Sequence, residues 1–116
     1  MADQIRNRRV RSDRRGGSEI MDLDRIIHER VRLGIVSALA VNDTLRFGDL
    51  KALLNVTDGN LSVHARKLED AGYIQCRKYF DNRTPRTEYA LSETGRAAFD
   101  TYLSQMERLI GATRAE

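Results

Sequence analysis

Between Thr57 and Gly72 the chain reads TDGNLSVHARKLEDAG, and the chemistry of these residues is hydrogen bonding rather than bond breaking. Advancing about 100° per residue from Leu61 places His64, Ala65 and Leu68 beside it on one side of a helix. Gly59, Val63, Arg66 and Asp70 gather on the opposite side, flanked by Ser62 and Lys67, with Asn60 on the N-terminal shoulder. A merely solvated helix carries long charged side chains outward, whereas the first two turns here carry short ones. Gly59 has no Cβ, and the open N–H groups of a first helical turn face anions. Asn60 matches an adenine edge, Arg66 and Lys67 reach guanine edges or phosphates, and Val63 can meet a thymine methyl. Thr57 is a good N-cap. Asp58 suits the helix dipole but repels phosphate unless it faces a cytosine amine. The ordinary alternative, a surface helix with a weak start, leaves the next feature unexplained.

That feature is a second basic group. Two alternating runs, Tyr73 to Phe80 and Thr87 to Leu91, are joined by Asp81-Asn82-Arg83-Thr84-Pro85-Arg86. The pattern predicts a β-hairpin with a long polar tip. Hairpin tips are polar whatever they do, but Arg83 and Arg86 around a proline-stiffened turn suit a phosphate backbone or a minor groove.

The elements that must position these groups follow from periodicity. From Asp22 onward, Leu23, Ile27, Val31, Ile35 and Leu39 recur every fourth residue and predict a first helix ending near Asn42-Asp43. Thr44 to Phe47 alternates as a small strand. Gly48-Asp49 opens a brief second helix with Leu50, Leu53 and Leu54 apolar, and Asn55-Val56 breaks it. The third helix runs from the Thr57 cap to about Ala71 and stops at Gly72. After the hairpin, Ser92 caps a last helix striped by Phe99, Tyr102, Met106, Leu109 and Ile110. Two short helices across a tight turn form a helix-turn-helix unit, and the hairpin behind it makes the winged variety. The predicted class is α+β, mainly α: a three-helix core, a two- or three-stranded wing sheet and a C-terminal dimerisation helix. The predicted organisation is a basic arm over 1–18, a winged-helix domain over 19–92 and the C-terminal helix over 93–116.

Charge sharpens this reading. The 116 residues carry a net +3. Residues 1–20 hold six arginines against Asp3, Asp13 and Glu19, so 6 − 3 = +3, and the remaining 14 basic and 14 acidic residues cancel. Residues 1–18 have almost no large apolar side chains and end in Gly16-Gly17-Ser18, a composition that predicts disorder. They read either as an arm touching phosphates or as a solubilising leader. The rest binds a polyanion only if its charges are segregated on one face. Without an apolar run of membrane-spanning length, and with Cys76 the single cysteine, the expectation is a soluble cytoplasmic protein. His28 and His64 have no second ligand at helical spacing, so no metal site is expected. No nucleophile–base set or phosphate-cradling loop is present, so neither catalysis nor a cofactor is predicted.

The stretches IHERVRLGIVSAL, LRFGDLKALLNVTDGNLSVHARKLEDAGYI and PRTEYALSETGRAAF resemble the winged-helix transcriptional regulators of bacteria and archaea. The likeness is to small single-domain members related to the MarR and ArsR groupings, over about Leu23 to Leu103. Most specific is Leu61-Ser62-x-His64-x-x-Lys67-Leu68-Glu69-x-Ala71-Gly72-Tyr73-Ile74, followed by a wing and Leu91-Ser92-Glu93-x-Gly95-Arg96. The resemblance implies a third helix in the major groove and a wing on the backbone. By position it points to Thr57, Gly59, Asn60, Ser62, Val63, Arg66 and Lys67, with Arg83 and Arg86 in the wing. Ala65 departs from the family's usual Leu, which implies a smaller core contact. The thiolate pairs of metal-sensing ArsR members have no counterpart here.

The stripe on the last helix is long for a three-helix core, so a homodimer on double-stranded DNA is expected, with two third helices in successive major grooves. The competing reading is a winged-helix protein-interaction module, which should expose an apolar patch on the third helix. A redox sensor at Cys76 beside Arg77 and Lys78 is a further alternative.

Overall fold

The helix carrying Val31, Ile35 and Leu39 starts at Arg30, not at the predicted Asp22. The computed structural model describes residues 22–114, and residues 23–29 ahead of this helix form turns and bends. The Asp24 carboxylate accepts the backbone N–H groups of Ile26 and Ile27 at 2.8 and 3.1 Å, diverting them from a helical ladder. Glu29 is then an extended N-cap whose carboxylate accepts from the Arg32 N–H at 2.8 Å. Leu23 and Ile27 are buried as the apolar spacing predicts, but from turns. Helix α1 spans Arg30–Ala40.

Strand β1 (Leu45–Arg46) leads directly into α2 (Phe47–Leu54), where the Arg46 N–H reaches Asp49 at 3.4 Å. Asn55 ends α2 in the left-handed conformation, φ 54°. Helix α3 covers Asp58–Asp70, with Thr57 extended before it and the Thr57 hydroxyl accepting from the Asn60 N–H at 3.2 Å. Its C-terminus closes as a Schellman turn. Gly72 has φ 80°, its N–H bonds to Glu69 O, and the Tyr73 N–H bonds to Leu68 O, both at 2.9 Å.

The hairpin departs from its predicted shape. Strands β2 (Ile74–Asp81) and β3 (Thr84–Leu91) are joined by Asn82-Arg83 alone, with φ 50° and 71°. Two consecutive positive φ values define a type I′ turn, whose twist matches that of paired strands. Thr84, Pro85 and Arg86, predicted as tip, are therefore strand residues, with Phe80 opposite Pro85 and Asp81 opposite Thr84. Strand β1 pairs with β3 only at Tyr89 and Glu88, so the missing N–H of Pro85 interrupts no ladder on that edge. The sheet order is β1-β3-β2, antiparallel throughout.

Helix α4 spans Glu93–Arg114. The described residues fall into two compact units, one over Asp24–Asp100 and the other including residues 22–23 and 101–114. In the first, Ile27, Val31, Ile35, Val36 and Leu39 are buried with Leu50, with Leu61, Ala65 and Leu68 of α3, and with Ile74, Tyr89 and Phe99. In the second, Leu23 and Tyr102 are buried, while Leu103 and Ile110 are exposed. The arm predicted over 1–18 lies outside the described residues. No described helix is long and apolar enough to cross a membrane.

Candidate nucleic-acid interface

Helix α3 presents the side that the helical wheel assigns outward. Thr57, Gly59, Asn60, Ser62, Val63, Arg66 and Lys67 are all exposed, while Leu61, Ala65 and Leu68 are buried. Nothing lies within 4 Å of the place a Gly59 Cβ would occupy. Packing inside this chain therefore does not require glycine there, and a helical glycine costs up to about 1 kcal/mol relative to alanine. Val63, 54% exposed, is the one large apolar side chain open on this helix among the described residues. That is not the apolar patch a protein-interaction module predicts.

The inner side of α3 is fastened to the residues around the start of α1. His64 is mostly buried, and its Nδ1 lies 2.8 Å from Arg32 Nη1 and 3.5 Å from Glu29. A guanidinium only donates, so His64 Nδ1 is the acceptor in this contact. Arg32 Nε in turn donates to Ile26 O at 2.6 Å. Burial pushes the Glu29 carboxyl up, but the Arg32 N–H and nearby positive charge prevail and hold it below its ordinary value.

Asp58 gains a partner that its sequence neighbours do not reveal. Its carboxylate lies 2.8 Å from Lys51 Nζ, an exposed pair across the turn between α2 and α3. One negative charge beside the open N–H groups is thus balanced locally and favours the positive end of the helix.

The two wing arginines are not equivalent. Arg83 sits exposed in the type I′ turn. Arg86 lies within β3, half-buried, with Nε 3.9 Å from Asp81 and without a hydrogen-bond partner. Asp81 also lies 3.6 Å from Arg46 Nη2, so one carboxylate serves two guanidinium groups. The predicted pairing of Arg83 and Arg86 around a common loop is therefore corrected, because the tight turn draws Arg86 into the ladder.

Lys78 is a residue that sequence reasoning missed. With Ser62, Arg66, Glu69, Asp70, Cys76 and Tyr89 it lines an open polar cleft of about 350 Å³ between α3 and the sheet. Strand alternation was the available signal, since Ile74, Cys76, Lys78 and Phe80 share one face. Arg77, on the other face, bonds to Glu88 at 2.6 and 2.7 Å and stacks over the Tyr79 ring. Burial, then the charge of Glu69, pushes the Cys76 thiol above its ordinary pKa. This is the reverse of what a reactive thiolate needs.

Residues 31–110 match the model of the winged helix DNA-binding domain. An uncharacterized protein of Methanocaldococcus jannaschii is 33% identical over 85 residues, which are 73% of this chain and 92% of that protein. The structure of a transcriptional regulator homologue from Pyrococcus horikoshii superposes with a TM-score of 0.77 at 31% identity, over 84% of this chain and 96% of that one. A proposed MarR-family transcriptional regulator from Enterococcus faecalis gives 0.68 at 27% identity, over 85% and 87%. With an exposed helix behind a tight turn and a two-stranded wing beside it, the chain belongs to the winged helix DNA-binding domain family and is a winged-helix transcriptional regulator of MarR-like type.

Proposed function

We propose that this regulator binds double-stranded DNA in a sequence-specific manner, with α3 in the major groove and the wing on the backbone or in the adjacent minor groove. The observation that carries the reading is the N-terminal half of α3. It exposes Gly59, Asn60, Ser62 and Val63 where packing demands none of them, with Arg66 and Lys67 one turn further on. Thr57, Gly59 and Asn60 bring the helix end close to the duplex, Asn60 and Arg66 read base edges, Val63 meets a thymine methyl, and Ser62 and Lys67 complete the contact. Arg83 supplies the wing's charge at the turn, and Arg86 a second one behind it. The protein acts in the cytoplasm as a homodimer. Leu103 and Ile110, exposed seven residues apart on α4, lie on one helical face that suits a second copy. Two α3 helices would then meet successive major grooves about 34 Å apart on a pseudo-palindromic site.

Selection from a random duplex pool, with oligomeric state measured on the same sample, tests this. Wild type is expected to enrich a two-fold site. Arg66→Ala is expected to lose about 1–3 kcal/mol of binding and to relax one position of that site. Failure to enrich any sequence would sink the reading, and an unchanged site logo would remove Arg66 from it.

A further inference from the structure

Phe80 is 75% exposed, and nothing in the fold requires it to be. It stands opposite Pro85 in the next-to-last pair before the type I′ turn. Along its face of β2, Ile74 is buried, Cys76 is half-buried in the cleft beside α3, Lys78 is exposed at the rim, and Phe80 lies beyond them. This face therefore runs from the core, past Arg66 of α3, to an open aromatic ring near the tip. A Phe–Pro cross-strand pair steadies a hairpin, but a β-branched residue serves that purpose without exposing a ring to water. Its uncompensated charged neighbours are cationic, Lys78 on the same face and Arg83 in the turn, while the adjacent Asp81 carboxylate faces Arg46 and Arg86 on the other side of the ladder.

An apolar ring rimmed by positive charge complements a surface that is anionic at its edges and apolar within. A minor groove has that profile, with phosphates on both walls and deoxyribose and base edges between them. Resting on the DNA-binding reading above, we propose that Phe80 is the wing's apolar contact in the minor groove flanking the site held by α3. Apolar side chains placed there press on sugars and base steps, adding affinity that does not depend on counterion release.

The salt dependence separates this contact from the charged ones. Affinity for the duplex enriched by wild type is measured across a range of salt concentrations for Phe80→Thr, Phe80→Tyr and Arg83→Ala. Phe80→Thr keeps strand propensity and removes the ring. It is expected to weaken binding about tenfold, the scale of one lost aromatic contact, with the slope of log affinity against log salt unchanged. Phe80→Tyr should bind as wild type. Arg83→Ala should lower the slope by about one phosphate contact. Hydroxyl-radical cleavage of the flanking sugars, protected by wild type, should reappear with Phe80→Thr. Equal affinity of Phe80→Thr and wild type at every salt concentration overturns the proposal, as does a loss accompanied by a lower slope. If wild type binds no duplex, it is the DNA-binding reading that fails.

Discussion

Gly95→Ala puts one methyl group where the chain has no room for it. The added carbon would collide with the Tyr73 carbonyl oxygen and lie 2.8 Å from Tyr73 C and 2.9 Å from Leu91 Cδ1. The leucine can turn aside, but the carbonyl cannot. Tyr73 O accepts the Ser92 N–H at 3.0 Å, while the Tyr73 N–H closes α3 on Leu68 O. Gly95 is fixed from its own side too. Its N–H donates to Ser92 Oγ at 2.9 Å, and that hydroxyl donates to Gly72 O at 2.6 Å. Relief therefore requires the start of α4 to move off the entry of β2. Overpacking costs about 1–3 kcal/mol, and losing the Ser92–Tyr73 bond costs about 1 more. Alanine's better helix propensity returns at most about 1. The balance is a destabilisation of about 1–3 kcal/mol, which lowers the melting temperature of a domain this size by roughly 10 °C. Thermal unfolding followed by circular dichroism measures it. Gly111→Ala is the matched control, since it lies in the same helix with nothing within 4 Å of its Cβ position, and it should melt at or above wild type. A Gly95→Ala protein that melts within a degree or two of wild type would refute the steric argument. So would an equal loss in the control.

Gly59→Ala should raise the melting temperature slightly while weakening duplex binding, because the fold leaves its Cβ position open and the proposed interface does not. Both effects are read on one sample by thermal unfolding and fluorescence anisotropy, and tighter binding would count against close approach at this position. Alkaline pH tests the link between Tyr73 and Asp24, whose hydroxyl–carboxylate bond is 2.5 Å. That bond, with burial and the Asp24 charge, pushes the Tyr73 phenol up to about 12, above an unfolded value near 10. The stabilisation is therefore complete below pH 10 and is lost as pH rises through about 12. Urea midpoints between pH 9 and 12 should fall less steeply in Tyr73→Phe than in wild type, with a residual fall from Tyr89, which burial pushes up to about 12.

The order of elements was legible because each has a local signature. Thr57 and Gly72 bracket α3 by cap chemistry, and strand alternation runs cleanly into Ile74 and out of Leu91. The start of α1 was not legible, since Leu23 and Ile27 keep helical spacing although Asp24 takes the Ile26 and Ile27 N–H groups and Glu29 caps the helix only at Arg32. The hairpin tip misled for a related reason. Pro85 reads as a loop residue until β1 is known to stop short of it, and Arg83 is an unusual occupant of a left-handed position. On the site, the helical wheel assigned the outer face of α3 correctly. Long-range partners were beyond periodicity: Lys51 for Asp58, Asp81 for Arg86, and Arg32 for His64. Alternation could have placed Lys78 and Phe80 on one face, but not shown that both lie exposed on it.

The attachments of α3 explain how its first turn can be so poorly made and still hold. Thr57 caps Asn60 N–H, a contribution of about 1 kcal/mol, and the exposed Lys51–Asp58 pair adds less than about 1. Together they offset the cost of one helical glycine, also about 1 kcal/mol. His64 adds a fastening to Arg32 from the inner side. The capping hydroxyl and the paired Asp58 carboxylate answer local donors and charge, while Arg32 and Glu29 take the inward His64. Folding therefore leaves the composition of the outer face unconstrained, and residues chosen only for folding would make it long, charged and rich in alanine. Gly59, Asn60 and Ser62 stand there instead, and the cap and ion pair at the helix start offset the stability they cost, as the proposed DNA contact at this face requires.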